Sequence, residues 1–237
     1  TSLDVPILTD VTSNLHAIPN AVTGLPKPDL LITIGRSIIN KKLKLFLREN
    51  KPKAHWHIGA GMIGNPFLSL TGTINCKPEL VLEHLSFNST KYLESFSKPE
   101  VVFDNSKFNY FSAVEKVIDE LPEKSVLHLG NGMPVRIVDM LGLEKDVDVF
   151  CNRGTSGIDG VVSTAVGHAL ADSRPHTLIV GDLSFFYDRN GLWLNREFPS
   201  NLKIVILNDG GGGIFNMIPG PADQGELTKL FTVPHSR

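Results

Sequence analysis

Thr177-Leu178-Ile179-Val180-Gly181-Asp182-Leu183-Ser184 carries an apolar run straight into a glycine, a carboxylate and a hydroxyl. The run lacks the polar alternation of a half-buried strand, so it predicts a strand over Thr177–Val180 that is covered on both faces. The same pattern recurs at Val126–Leu129, Val147–Phe150 and Ile204–Leu207, and earlier at Leu30–Ile34 and Ala54–Ile58. Helix-like segments separate these runs: Ile38–Glu49, Pro78–Leu85, Tyr110–Leu121, Pro134–Leu141, Gly157–Ala171 and Arg189–Leu194. Continuous apolar strands alternating with helices predict an α/β fold of doubly wound parallel sheets. The stretch from Ser86 to Asn105 is polar, contains Pro99 and reads as a connection. Two α/β domains are therefore expected, residues 1–95 and residues 96–237.

Composition narrows the functional classes. The 237 residues carry a net charge of −2, with 41% hydrophobic and 20% charged residues, an ordinary globular balance. A dedicated nucleic-acid or membrane-surface binder would show a basic excess. No apolar run reaches the roughly 18 residues of a membrane span, so no membrane insertion is expected. Two cysteines, Cys76 and Cys151, suggest neither a disulfide framework nor a metal cluster, and with no signal peptide they point to the cytoplasm. Asn88-Ser89-Thr90 matches a glycosylation sequon and reads as chance in that setting. Thr1 at one end, and Arg237 soon after a Gly/Pro-rich loop at the other, lead us to expect a piece of a longer protein.

Four polar or glycine-rich fragments follow the strands of the second unit. They are Gly130–Pro134, Asn152–Gly157, Gly181–Ser184 and Asn208–Gly213. In doubly wound sheets, ligands bind beyond the carboxyl ends of strands, so the four can converge on one crevice. Glycines let backbone N–H groups approach phosphate oxygens, and a helix starting after such a loop adds its positive end. A carboxylate cannot hold phosphate directly. Asp182 and Asp209 therefore imply a hard cation between protein and phosphate, and magnesium suits one or two carboxylates plus phosphate oxygens.

A Gly-Asp pair followed by an Asn-rich strand end resembles the signature of thiamine diphosphate enzymes. The fuller strings Gly130–Arg136, Asn152–Gly160, Gly181–Gly191 and Asn208–Phe215 resemble the MenD family, the 2-succinyl-5-enolpyruvyl-6-hydroxy-3-cyclohexene-1-carboxylate synthases of menaquinone biosynthesis. The resemblance covers essentially the whole chain, most strongly residues 126–220. It implies that the first unit is that family's central domain and the second most of its diphosphate-binding domain. It also implies thiamine diphosphate with Mg2+ (or manganese) as cofactors. The substrates would be 2-oxoglutarate, which is decarboxylated, and isochorismate, which receives the succinyl unit. The parent would be a homodimer or homotetramer with active sites at subunit interfaces.

Carried over by position, the resemblance makes Asp182, Asp209 and the Gly211 carbonyl the metal ligands. Asn131, Gly132, Gly181, Leu183, Ser184 and Asn208 would contact the cofactor, with Ile158 under its bent middle. Ile214 and Phe215 would wall the reaction chamber. Arg136, Arg153, Lys41 and Lys42 would pair with substrate carboxylates, a task that suits the planar guanidinium. Asp209 departs from the family's usual Asn, and Gly132 from a common serine. The glutamate that activates the cofactor in this superfamily belongs to a pyrimidine-binding domain, and no Glu here lies in its motif. The chain alone is therefore expected to turn over little.

Blander readings stand beside these. Singly, the glycine runs are turns, the arginines are surface ion-pair residues, Lys41 and Lys42 form a solvated helix face, and Ile158, Ile214 and Phe215 are core. His55 and His57 share a strand face, yet no third metal ligand follows at a sensible spacing. Gly59-Ala60-Gly61-Met62-Ile63-Gly64 matches a dinucleotide-binding glycine pattern. Asn65-Pro66 follows at once and opposes the helix which that pattern requires, so a loop is favoured. Two other functions remain open: another thiamine diphosphate 2-oxoacid decarboxylase or acetolactate-type synthase, and a non-catalytic α/β binding module.

Overall fold

The computed structural model describes residues 5–15, 25–61, 63–86, 107–193, 197–217, 220–223 and 225–236. Two compact units result, one from Thr1–Asp10 with Ile18–Val101, the other from Val11–Ala17 with Val102–Arg237. Most of the expected connection, the sequon at Asn88 and the end of the expected helix at Leu194 lie outside the described residues.

The first unit runs β1 (Leu30–Ile34), α1 (Lys41–Glu49), β2 (Ala54–Ile58), β3 (Gly72–Ile74) and α2 (Pro78–Leu82). Its three strands pair in parallel in the order β1-β2-β3. Helix α1 starts at Lys41 rather than Ile38, because Asn40 serves as N-cap and its Oδ1 accepts the Leu43 N–H at 3.0 Å. Leu43 and Leu47, one turn apart, bury against Phe67. No helix opens among the described residues of the Gly59–Gly64 pattern, so the dinucleotide reading fails. The Asn65 side chain instead accepts the Ser69 and Leu70 N–H groups in a turn. His55 and His57 are buried in hydrogen bonds to the Thr33 hydroxyl at 3.0 and 3.1 Å. They are polar core residues of this unit.

The second unit runs α3 (Tyr110–Asp119), β4 (Ser125–Leu129), α4 (Met133–Leu141), β5 (Val147–Cys151), α5 (Val161–Ala171), β6 (His176–Gly181), α6 (Asp182–Asp188), β7 (Leu202–Leu207) and the short α7 (Thr228–Thr232). All four strands are parallel, in the order β5-β4-β6-β7. Central β4 is buried throughout, as are the first five residues of β6, whereas β5 alternates. Val126, Leu127, Leu129, Leu178, Ile179 and Val180 have no exposed surface. Strands enclosed on both faces need no polar side, which is why the sequence shows unbroken apolar runs there. The edge of β5 is occupied by a side chain: Asn14 Oδ1 accepts the Val149 N–H at 2.6 Å, and Asn14 Nδ2 donates to the Val149 carbonyl at 3.2 Å. A single amide thus satisfies two backbone groups that an edge strand otherwise exposes.

The chain passes from β4 to β5 on one side, then crosses to build β6 and β7 on the other. The switch point falls between β4 and β6, and the loops that follow them carry Asn131 and Asp182.

Candidate functional site

Asn131 organises the first half of the crevice. It is buried, and its Nδ2 donates to the Asn152 and Gly157 carbonyls at 2.8 and 2.7 Å. Its Oδ1 accepts Arg153 Nη1 at 2.9 Å. The loop after β4 therefore fixes the loop after β5, and its amide is engaged within the protein. Arg136 donates to the Gly132 carbonyl one helical turn back. Burial, and then the charge of Arg153, pull the Arg136 guanidinium below its ordinary value. The two arginines are thus close neighbours. Arg153 Nε is buried and has no hydrogen-bond partner among the described residues. Two adjacent guanidiniums, one with an orphaned donor, form a site short of an anion. Gly132 has φ +99°, a conformation that strains any L side chain, so glycine suits this backbone better than serine would.

Asp182 organises the second half. It is the first residue of α6, and its side chain is buried. Its Oδ1 accepts the Leu183 N–H at 2.7 Å. Its Oδ2 accepts the N–H groups of Gly210 and Gly211 at 3.1 and 2.9 Å, and contacts His235 Nε2 at 3.0 Å. The Gly181-Asp182 corner is thereby tied to the loop after β7. Gly211 has φ +153°, and a Cβ there would lie 2.5 Å from the Thr232 carbonyl oxygen, so only glycine fits. Gly212 donates to that same carbonyl at 2.6 Å, and His235 N–H to the Gly210 carbonyl at 2.8 Å. Asn208 Oδ1 accepts the Gly210 N–H at 2.9 Å, closing the turn.

Ser184 donates its hydroxyl to the Ile158 carbonyl at 2.6 Å. Its donor is thereby spent on the protein, and it holds Ile158 over the start of α6. The Ile158 side chain remains 42% exposed, unusual for a large aliphatic residue beside a crevice. Ile214 and Phe215 lie in a 3-10 turn, Gly213–Met217, with Phe215 packed against Phe231 at 6.0 Å between ring centres. Lys41 and Lys42 are exposed in the first turn of α1 in the other unit.

No family model matches the chain. It is 37% identical, over 98% of its length, to the 2-succinyl-5-enolpyruvyl-6-hydroxy-3-cyclohexene-1-carboxylate synthase of Flavobacterium johnsoniae. To the enzyme of that name from Cytophaga hutchinsonii it is 39% identical over 97% of its length. Over nearly its whole length the chain is similar to this synthase family. It spans 46% of the length of either relative. Among solved structures, a putative thiamin diphosphate-dependent enzyme from Mycobacterium smegmatis matches 81% of the chain with TM-score 0.53 and 16% identity, covering 39% of that protein. Benzoylformate decarboxylase from Polynucleobacter necessarius matches the same share with TM-score 0.55 and 16% identity, covering 40% of its own chain. These two share the fold.

Two residues of the crevice carry no signal in the sequence. Tyr110 opens α3 inside a capping box formed by Asn109 and Ser112. Burial, and then the negative charges of Asp209 and Asp182, push its phenol above the ordinary range, and it hydrogen-bonds Asp209. Both carboxylates therefore act on one point. His235 is the other. Neither sits in a glycine-rich fragment, and the chain separation from Asp182, 53 residues for His235, left no local signal.

Proposed function

We propose that this chain supplies the metal- and diphosphate-binding half of a thiamine diphosphate-dependent carboligase that decarboxylates 2-oxoglutarate and transfers the succinyl unit to isochorismate. The observation that carries the reading is the Asp182 corner. A buried carboxylate at the sheet's switch point gathers the N–H groups of Gly210 and Gly211, and its charge and that of Asp209 both act on the Tyr110 phenol. The donor set fits magnesium or manganese, since it consists of hard oxygens. Asp182 Oδ1 accepts one backbone N–H and retains acceptor capacity for a cation. Asp209 and the Gly211 carbonyl would complete the protein's share of ligands. The cofactor would supply an electron sink for loss of carbon dioxide.

The chain's own residues bind and orient. Gly181, Leu183 and Asn208 flank the diphosphate end, and Gly132 opens α4 beside it. Ile158 offers an exposed apolar surface where a bent cofactor would rest. Arg136 and Arg153 present two guanidiniums to dicarboxylate substrates, and the unpartnered Arg153 Nε is the donor that a carboxylate would satisfy. Ile214 and Phe215 would exclude water from the reacting centre. Lys41 and Lys42 stand at the positive end of α1, where a cation is unfavourable by about 0.3–1 kcal/mol. That placement is better explained by recruitment of anions than by helix stability. We infer that the working enzyme is a homo-oligomer in the cytoplasm, with no nucleic-acid partner. No described helix is long and apolar enough to cross a membrane.

Calorimetry of thiamine diphosphate with and without Mg2+ tests the proposal. Binding should require the metal and weaken by at least about 100-fold in Asp182→Asn, because even outer-shell changes at metal sites cost 10–100-fold. Saturable binding that ignores both metal and substitution would refute it. The chain alone should show little succinyl transfer, since the acidic residue assigned to cofactor activation matches no Glu here; rates near those of the full-length enzyme would overturn that part.

A further inference from the structure

A second cluster lies on the face of the β4–β7 sheet that α5 covers. His168 sits in the last turn of α5, Asp172 is that helix's C-cap, and His176 opens β6. The three are spaced four residues apart, His-x3-Asp-x3-His. His128, on β4, stands behind His176 and is buried with it. Asp172 Oδ2 lies 3.7 Å from His168 Nε2 and 4.0 Å from His176 Nε2. His128 Nε2 and His176 Nδ1 are 3.2 Å apart. Their rings lie within 18° of parallel with centres 5.4 Å apart, so the imidazoles meet head-on through one hydrogen bond. That bond consumes His176 Nδ1. Among the described residues, His176 Nε2 is left buried without a well-formed hydrogen bond, 4.0 Å from Asp172 Oδ2.

Arg174 anchors the carboxylate: its N–H donates to Asp172 Oδ1 at 2.9 Å, its Nε and Nη2 both reach Oδ2 at 2.8 Å, and Nη1 reaches Asp148 at 2.7 Å. The His168 and Asp172 side chains are 27% and 21% exposed, which leaves a path from solvent to the gap between them. A tetrahedral ion with bonds of about 2.0–2.2 Å holds its ligand atoms about 3.3–3.5 Å apart. The two Asp172 edges of the set therefore need to contract by roughly half an ångström, and His168 and His176 already bring ring nitrogens within 4.8 Å of one another.

We propose that His168 Nε2, Asp172 Oδ2 and His176 Nε2 bind one divalent transition-metal ion of the zinc class, with His128 fixing the His176 tautomer from behind. Two imidazoles and one carboxylate suit zinc, cobalt or nickel, and they do not suit magnesium, which takes oxygen ligands. A histidine whose other nitrogen is held by a hydrogen bond is the usual second layer of such a site. Asp182 lies six positions along from His176, about 20 Å at the strand rise, so this site shares no ligand with the crevice.

Zinc calorimetry on the chelator-treated full chain decides the matter. We expect saturable one-to-one binding that persists in Asp182→Asn and weakens at least tenfold in His168→Gln and in Asp172→Asn. Zinc-edge X-ray absorption of the unmutated protein should show nitrogen and oxygen near 2.0–2.2 Å with scattering from two imidazoles, and it requires no variant to fold. Absence of saturable binding, loss of binding in Asp182→Asn alone, or fewer than two imidazoles in the spectrum would each overturn the proposal.

Discussion

Tyr110 and Asp209 show how a single substitution propagates. The resemblance leads one to expect Asn at 209, a neutral ligand. Here a carboxylate adds negative charge beside Asp182, and the Tyr110 phenol hydrogen-bonds that carboxylate. A hydrogen bond to a charged group contributes about 1.5–3 kcal/mol, more than one between neutral partners. Tyr110→Phe should therefore destabilise the protein by about that amount while Asp209 is present. In an Asp209→Asn background the same change should cost less, giving a coupling of about 0.5–3 kcal/mol in a double-mutant cycle. Urea unfolding of the four variants measures it, and strict additivity would show that the tyrosine does not compensate the departure. The site's acidic corner was legible because Gly-Asp and the glycine run are local strings. Tyr110 and His235 were not, because only the folded sheet brings them to Asp182.

At the scale of elements, β1 and β2 lie where their apolar runs ended, and the other expected strands lengthen by a residue or two. Helix starts shifted more. The expected helix from Gly157 begins at Val161, because Gly160 adopts φ +73° and the Gly157 carbonyl is held by Asn131. The expected helix at Arg189–Leu194 is a 3-10 turn over Arg189–Leu192; the true helix, α6, starts at Asp182 on the end of β6. Strand β3 has three residues, too few to show a period. What starts α5 also escapes sequence reading. Its N-cap Gly160 offers no side chain, and Asp188 accepts the N–H and hydroxyl of Ser163, 25 residues before it, each at 2.7 Å. Asp188→Ala removes this remote cap and strands two donors, so it should cost about 1–3 kcal/mol. Gly191→Ala should destabilise as well, since its Cβ would sit 2.8 Å from the Ser163 nitrogen. Thermal melts of both variants test this; wild-type melting for Asp188→Ala would mean that α5 needs no cap.

At the scale of the whole chain, the sequence showed two α/β units because each repeats the strand–helix alternation, and the units differ in what they bury. The second keeps its central strands apolar except for Ser125, His128, His176 and Thr177. The first places His55 on its middle strand β2, hydrogen-bonded to Thr33 and Ser69 and packed against Phe67. Burial first, and then the neighbouring His57, lower the His55 pKa below the ordinary 6.5. The folded unit therefore holds His55 neutral at a pH where the unfolded chain protonates it. Its stability contribution is complete above about pH 6.5 and is lost as pH falls toward the lowered folded value. Between those limits the unit should weaken with acid by up to about 1.4 kcal/mol per pH unit for this one group. Trp56, the next residue on β2, is a reporter inside the same strand, and Trp193 is the chain's only other tryptophan. In a Trp193→Phe background, the urea midpoint read by Trp56 fluorescence should drop between pH 7 and pH 5. Replacing His55 with Asn, which keeps hydrogen-bonding groups without titrating, should flatten that drop. An unchanged midpoint across this range would mean that water reaches the imidazole and that the buried histidine is not what makes the first unit sensitive to acid.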